Sequence, residues 1–73
     1  MENQVDELVR FFKALAEPNR LRIIGLLAHK PQSVEQLAST LRIGESTVSH
    51  HLSKLGEAGL VSARAEGYYS IYA

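Results

Sequence analysis

Ser46, Thr47, Ser49, His50, His51 and Lys54 crowd into one short stretch of the chain. Together they offer hydroxyls and imidazoles of short reach, followed by an ammonium. Such a set can hydrogen-bond base edges and neutralise a phosphate. It is poorly arranged for catalysis. Ser49 and His50 are the nearest approach to a nucleophile and a base, but they are consecutive, and helix neighbours one residue apart face different ways. The same geometry keeps His50 and His51 from converging on one metal ion. With no paired carboxylates and no glycine-rich phosphate loop in the chain, an enzyme is not expected. A solvated polar helix face is the plainer alternative. A face of that kind more often carries Glu and Lys at i, i+4 than serines and histidines.

These groups need a helix to carry them. Val48, Leu52 and Leu55 recur at helical spacing over residues 45–57, which predicts a buried side and turns Ser46, His50 and Ser53 away from it. Thr47 and Lys54 flank that outward face, and Ser49 lies at its edge. Gly44 is an acceptable N-cap, and Gly59 suits the left-handed position beyond the C-terminus. Before this helix, Ser33 and Gln36 have the spacing of a capping box, and Val34, Leu37, Ala38 and Leu41 form the apolar face of a short helix. Arg42, Ile43 and Gly44 leave a tight connection. Two helices joined by a turn with an apolar residue inside it match a helix-turn-helix unit, whose second helix enters the major groove.

Two further helices precede the unit. Val5, Leu8, Val9, Phe12, Leu15 and Ala16 make one stripe, with Phe11 beside it. Pro18 places a break near Ala16 and the start of a second helix. That helix, through Leu21, Ile23, Ile24, Leu26, Leu27 and Ala28, is apolar around most of its circumference and reads as buried. Gly25 in its middle suggests close approach of a neighbouring backbone, and His29-Lys30-Pro31 ends it. From Leu60 the period changes to two. Val61, Ala63 and Ala65 alternate with Ser62 and Arg64, Glu66-Gly67 supplies a turn, and Tyr68 to Tyr72 is rich in strand formers. The expected fold is mainly α with a small β-hairpin: a winged helix-turn-helix of four helices followed by a two-stranded wing, in a single domain over residues 1–73.

Composition sets the limits. A chain of 73 residues supports one small domain with a thin core. It contains no cysteine, which excludes disulfides and thiolate metal sites. No apolar run is long enough to span a membrane, and the N-terminus is unlike a signal peptide. The net charge is zero, from eight basic and eight acidic residues, and this counts mildly against DNA binding. Distribution matters more than the sum. Glu2, Asp6, Glu7 and Glu17 lie in the first segment; Arg20, Arg22, Lys30 and Arg42 follow, with Glu35 the only acid among them.

The runs Leu15-Ala16-Glu17-Pro18-Asn19-Arg20-Leu21-Arg22-Ile23-Ile24, Ser46-Thr47-Val48-Ser49-His50-His51-Leu52 and Ala58-Gly59-Leu60-Val61 resemble the ArsR/SmtB family of bacterial transcriptional repressors over nearly the whole chain. The resemblance implies a dimeric winged helix-turn-helix that binds palindromic double-stranded DNA. It implies that Ser46, Thr47, Ser49 and His50 face the groove, that His51 and Lys54 lie near the DNA backbone, and that the turn between Arg64 and Tyr69 is the wing. Arg42, Lys54 and Arg64 are the expected phosphate contacts.

The sequence departs from the family in several places. Cysteines that serve metal-sensing members are absent, the helix-turn-helix's first helix reading Ser33-Val34-Glu35-Gln36-Leu37-Ala38. No metal or cofactor is therefore expected, and no effector site is evident. Tyr68 follows the wing glycine where an arginine is common. Glu45 opens the recognition helix, where a carboxylate suits the helix dipole and can accept from a cytosine amino group, but repels phosphates. Arg42 replaces a common glycine in the turn. The family's last helix, part of its dimer interface, would lie beyond Ala73, so the chain is expected to be the N-terminal part of a longer polypeptide. Val5, Leu8, Val9, Phe11 and Phe12 are then the candidate dimer interface. Against this, Val9, Phe12 and Ala16 are expected to pack on their own domain, while Phe11 is the candidate intersubunit contact. The rival function is a winged helix used as a protein-interaction module of a larger polypeptide, with Tyr68, Tyr69 and Tyr72 as its surface. The expected location is the cytoplasm, on the nucleoid.

Overall fold

The computed structural model describes residues 2–73. Four helices come first: α1 (Glu2–Leu15), α2 (Pro18–His29), α3 (Val34–Leu41) and α4 (Glu45–Glu57). A two-residue strand, β1 (Gln32–Ser33), leads into α3, and a hairpin of β2 (Ala63–Glu66) and β3 (Tyr69–Tyr72) closes the chain.

Local chemistry sets the helix boundaries. Pro18 opens α2 at its first turn, where the missing N–H is no loss, and the Glu17 carboxylate caps that turn by accepting from the Arg20 N–H at 2.9 Å. The capping box at α3 is complete: the Gln36 N–H donates to Ser33 Oγ at 3.2 Å and the Ser33 N–H donates to Gln36 Oε1 at 2.9 Å. Helix α4 ends in a Schellman arrangement. Gly59 takes φ +76°, its N–H donates to the Gly56 carbonyl, and the Leu60 N–H donates to the Leu55 carbonyl at 2.9 Å. At the end of α2, Gln32 Nε2 donates to the Leu26 carbonyl at 3.0 Å, which explains why this polar side chain is buried.

Ala14, Ile23, Leu37, Ala38, Val48, Leu52 and Leu55 form the core. Each helix contributes at least one member. Full burial of a Leu, Ile or Val side chain contributes roughly 1.5–3 kcal/mol, and three of the seven come from α4, so this helix is fixed chiefly by its inner face.

The structure corrects several expectations. Helix α1 turns the opposite way from the one its largest residues suggest. Ala14 is buried and Phe11 and Leu15 are half-buried, whereas Val5, Leu8, Val9, Phe12 and Ala16 are exposed, Phe12 at 62%. Val9, Phe12 and Ala16 are therefore exposed rather than packed on their own domain, and Phe11 is half-buried without joining the residues packed on the core. Small Ala14 is what lets α1 lie close to its neighbours. Helix α2 is less enclosed than expected, with Leu21 and Ala28 exposed. A Cβ placed on Gly25 would meet nothing within 4 Å, so no neighbouring backbone explains that glycine.

The wing also differs in detail. Its turn is Gly67-Tyr68, with Glu66 paired to Tyr69, rather than Glu66-Gly67. Gly67 has φ +62° at the first turn position, the place for glycine in a two-residue hairpin loop, and Tyr68 stands fully exposed at the tip. The strand β3 pairs on its other edge with β1, Ser33 opposite Ile71 and Gln32 opposite Tyr72. The two-stranded wing forms as expected, and β1 extends it into a three-stranded antiparallel sheet in the order β1-β3-β2. All four residues of β2 are exposed, so the alternation of alanines there marks a strand without marking a buried face.

Candidate nucleic-acid interface

The interface is built on α4 and its two neighbours in the chain. Val48, His51, Leu52 and Leu55 are the buried residues of α4. With that side turned inward, a 3.6-residue period leaves Ser46, Ser49, His50 and Ser53 outward, and all four are exposed. Thr47 and Lys54 are exposed on the flank. The helix presents a row of exposed hydrogen-bonding groups along its N-terminal half.

The turn before α4 is formed by an unusual residue. Arg42 adopts φ 58°, ψ 45°, the left-handed region, and its N–H and that of Ile43 both reach the Ala38 carbonyl. Non-glycine residues enter this region at a cost of about 1–2 kcal/mol. In return, a cationic side chain is exposed in the turn, two residues before the N-cap Gly44 of α4. Glu45 follows in the first turn, where its carboxylate complements the positive helix end.

His51 departs from the expected set. It is only 9% exposed, and its Nε2 lies 3.7 Å from Glu17 Oε2, the same oxygen that caps α2. It faces the α1–α2 junction rather than a backbone-contacting surface, because residue 51 falls between Val48 and Leu55 on the inner arc of α4. Its Nδ1 is buried with no hydrogen-bond partner among the described residues. The adjacent His50 ring, 6.1 Å away centroid to centroid and tilted by 54°, is exposed. Two consecutive histidines therefore divide the work of the helix: one packs and one faces outward.

The flanking cations are not equally free. Arg64 Nε donates to Glu66 Oε2 at 3.2 Å within β2, and Lys54 Nζ lies 3.8 Å from Glu57 Oε2. Both pairs are exposed, and contacts of this kind contribute little and exchange readily. Arg42 has no carboxylate within 4 Å among the described residues. Sequence reasoning missed Glu17 and Arg20, which lie behind α4. The position of Glu17 directly before Pro18, three residues ahead of Arg20, was the available signal for the cap.

Among the described residues no three His, Asp or Glu side chains converge, and the chain contains no cysteine. Nor is any described helix long and apolar enough to cross a membrane.

Comparison with known proteins agrees with this architecture. Residues 17–63 match the model of the bacterial regulatory proteins of the arsR family. A transcriptional repressor SmtB homolog of Synechocystis is 40% identical over 72 residues, covering 94% of this chain and 54% of that protein. The transcriptional activator HlyU of Vibrio cholerae is 36% identical over 72 residues, covering 99% of this chain and 67% of its own length. Among solved structures, a homodimeric winged helix-turn-helix DNA-binding domain from Mycobacterium bovis superposes with a TM-score of 0.93 at 38% identity, over 97% of this chain and 66% of that one. The chain thus spans about half the length of the Synechocystis relative.

Proposed function

Since the chain belongs to the arsR family of bacterial regulatory proteins, we propose that residues 1–73 are one DNA-binding domain of a transcriptional regulator, acting as a homodimer on a palindromic operator in the cytoplasm, on the nucleoid. The observation that carries this reading is the outer face of α4: Ser46, Ser49 and His50 are exposed together while Val48, Leu52 and Leu55 lock the helix from behind. Small donors and acceptors on a rigid helix are what base-edge readout requires.

Within that reading, Ser46, Thr47, Ser49 and His50 enter the major groove, and Glu45 approaches a cytosine amino group. Arg42, Lys54 and Arg64 hold phosphates on either side. His51 acts behind the surface, fixing α4 against Glu17. The exposed stripe Val5, Leu8, Val9 and Phe12 supports self-association, because a chain this small leaves few reasons to keep four large apolar side chains in water. Phe11, half-buried, contributes at the rim of that stripe. In such a two-fold dimer the two recognition helices enter successive major grooves, whose half-sites lie roughly 34 Å apart. Catalysis has no part in the reading.

The test is a titration of the protein against a pool of random duplexes at two salt concentrations. Enriched palindromes with a steep fall of affinity as salt rises are expected. Equal weak affinity for every duplex would overturn sequence-specific recognition, and no binding at low salt would favour a protein-interaction role instead.

A further inference from the structure

A concave feature lies beside the C-terminal end of the recognition helix. Arg10, Lys13 and Ala14 of α1, Arg20 of α2, and Lys54, Glu57 and Ala58 of α4 line a cleft of about 260 Å³. Four of the chain's eight lysines and arginines stand around it, in a protein whose net charge is zero. Glu57 is the one carboxylate in its lining, and it lies near Lys54 at 3.8 Å. Among the described residues Arg10, Lys13 and Arg20 have no carboxylate within 4 Å. Arg20 Nε is buried and has no hydrogen-bond partner there.

A buried guanidinium N–H without an acceptor is an unfavourable arrangement unless something supplies the acceptor. Water can satisfy one such donor, but three cations with no carboxylate within 4 Å among the described residues also repel one another around one concavity, and an anion relieves both faults at once. Low-dielectric walls around charges of one sign raise the local concentration of the opposite ion. The cleft falls below the roughly 300–1,000 Å³ of pockets that enclose drug-sized ligands, so it suits a group of a few atoms rather than a nucleotide. Arg presents forked donors that match tetrahedral oxyanions, and lysines complete the charge.

We propose that the cleft between α1, α2 and α4 is a binding site for a phosphate group, carried either on a small free anion or on the backbone of bound DNA. Both sources present the same chemistry to Arg20, Lys13 and Arg10. They differ in consequence. A free anion makes the cleft a sensing site, because it contacts α4 through Lys54 and can bias how that helix sits. A DNA phosphate makes it an anchor at the far end of the recognition helix from Ser46.

Two measurements separate these outcomes. Inorganic phosphate is titrated into the protein at constant ionic strength against chloride, following the backbone amide signals of Arg20 and Lys54. Duplex affinity is measured as a function of salt for the protein and for an Arg10→Gln/Lys13→Gln variant, both positions being exposed on α1 and outside the core cluster. Saturable shifts that the double variant abolishes establish the free-anion site. Absence of saturation, with a salt slope reduced by about 0.9 for each DNA phosphate no longer neutralised, establishes the DNA anchor. Absence of saturation together with an unchanged slope overturns the proposal. The phosphate titration needs no DNA, so it decides the matter alone if the wild-type protein binds no duplex, and the failure of one reading is not mistaken for that of the other. Arg20→Gln serves as a third variant once its melting curve shows that it folds.

Discussion

Replacing Phe12 with alanine should separate the protomers without unfolding them. Phe12 is 62% exposed, while a phenylalanine buries on the order of 150–250 Å² when covered, so an interface over it would remove about 90–150 Å² of apolar surface per protomer. At roughly 25 cal/mol/Å² this is about 2–4 kcal/mol for each protomer, counted twice in a two-fold dimer. Association recovers only part of such area terms, and alanine retains its Cβ, so the lower end is the better guide. About 4 kcal/mol per dimer corresponds to a dissociation constant raised about 10³-fold. The monomer should scarcely notice. Phe12 is not among the residues packed against the core, and its one aromatic neighbour is Phe11, edge to face at 5.6 Å, a contact of about 0.5–1.5 kcal/mol. Sedimentation equilibrium over a wide concentration range gives the association constant, and thermal melting at low concentration gives the monomer's stability. An unchanged association constant would refute the placement of the interface on this stripe. A concentration-independent collapse of the melting temperature would refute the orientation of α1 itself.

Other substitutions test other parts of the structure. Gly25→Ala should raise stability by about 0.8–1 kcal/mol, since alanine is the better helix former and nothing lies within 4 Å of the added Cβ; a drop in melting temperature would show an unseen close contact. Arg42→Gly should stabilise the turn by about 1 kcal/mol while weakening binding to every duplex, so that melting and DNA titration move in opposite directions; parallel losses would contradict this. His51→Ala should cost about 1–3 kcal/mol of stability because the side chain is buried, whereas His50→Ala should leave the melting curve alone and change which duplexes are preferred; equal effects on stability would erase the distinction. Lys54→Ala should weaken cognate and scrambled duplexes alike and lower the salt slope by about 0.9; a sequence-dependent loss would place Lys54 on a base instead.

The helix-turn-helix could be read from sequence because each of its boundaries carries a local signal. Pro18, the Ser33–Gln36 pair and Gly59 act within a single turn of chain; the Ser33 and Gln36 side chains make the capping-box bonds, and the Gly59 backbone N–H closes the end of α4. The orientation of α1 could not be read in the same way. Apolar residues occupy two sides of that helix, and the larger stripe looks like the core to any argument from hydrophobicity. What decides the matter is fit: Ala14 permits the close approach that Phe12 would prevent, and fit is a property of the neighbours. Strand β1 was hidden for a different reason. Gln32 and Ser33 have no strand-forming character, and they pair only because β3 offers a free edge. His50 and His51 carry the same side chain at adjacent positions, so only the angle of α4 tells them apart. The helical period assigns that angle to about one residue's turn, and His51 lies at the margin of that precision. The cleft bearing Arg20 draws on three helices distant in sequence and leaves no contiguous motif.

Ser33 belongs to two structures at once. It is the last residue of β1, paired with Ile71 of the wing, and it is also the cap on which α3 begins. At the hairpin's base, Ser62 and Ala73 exchange N–H to carbonyl bonds at 3.0 and 3.1 Å, so the wing's root is closed as well. The hairpin is therefore hinged to the helix-turn-helix at a bolt, not joined to it by a tether. Any tilt of the wing pulls on the residue that starts the next helix, which in turn packs against α4. On the proposed function, a domain made this way would meet the major groove and the neighbouring groove as one stiff object. It has little freedom to adapt its two contacts independently, so a variant that shifts the wing should be felt at the recognition helix, and the spacing between the two contacts becomes part of what the protein selects in its DNA.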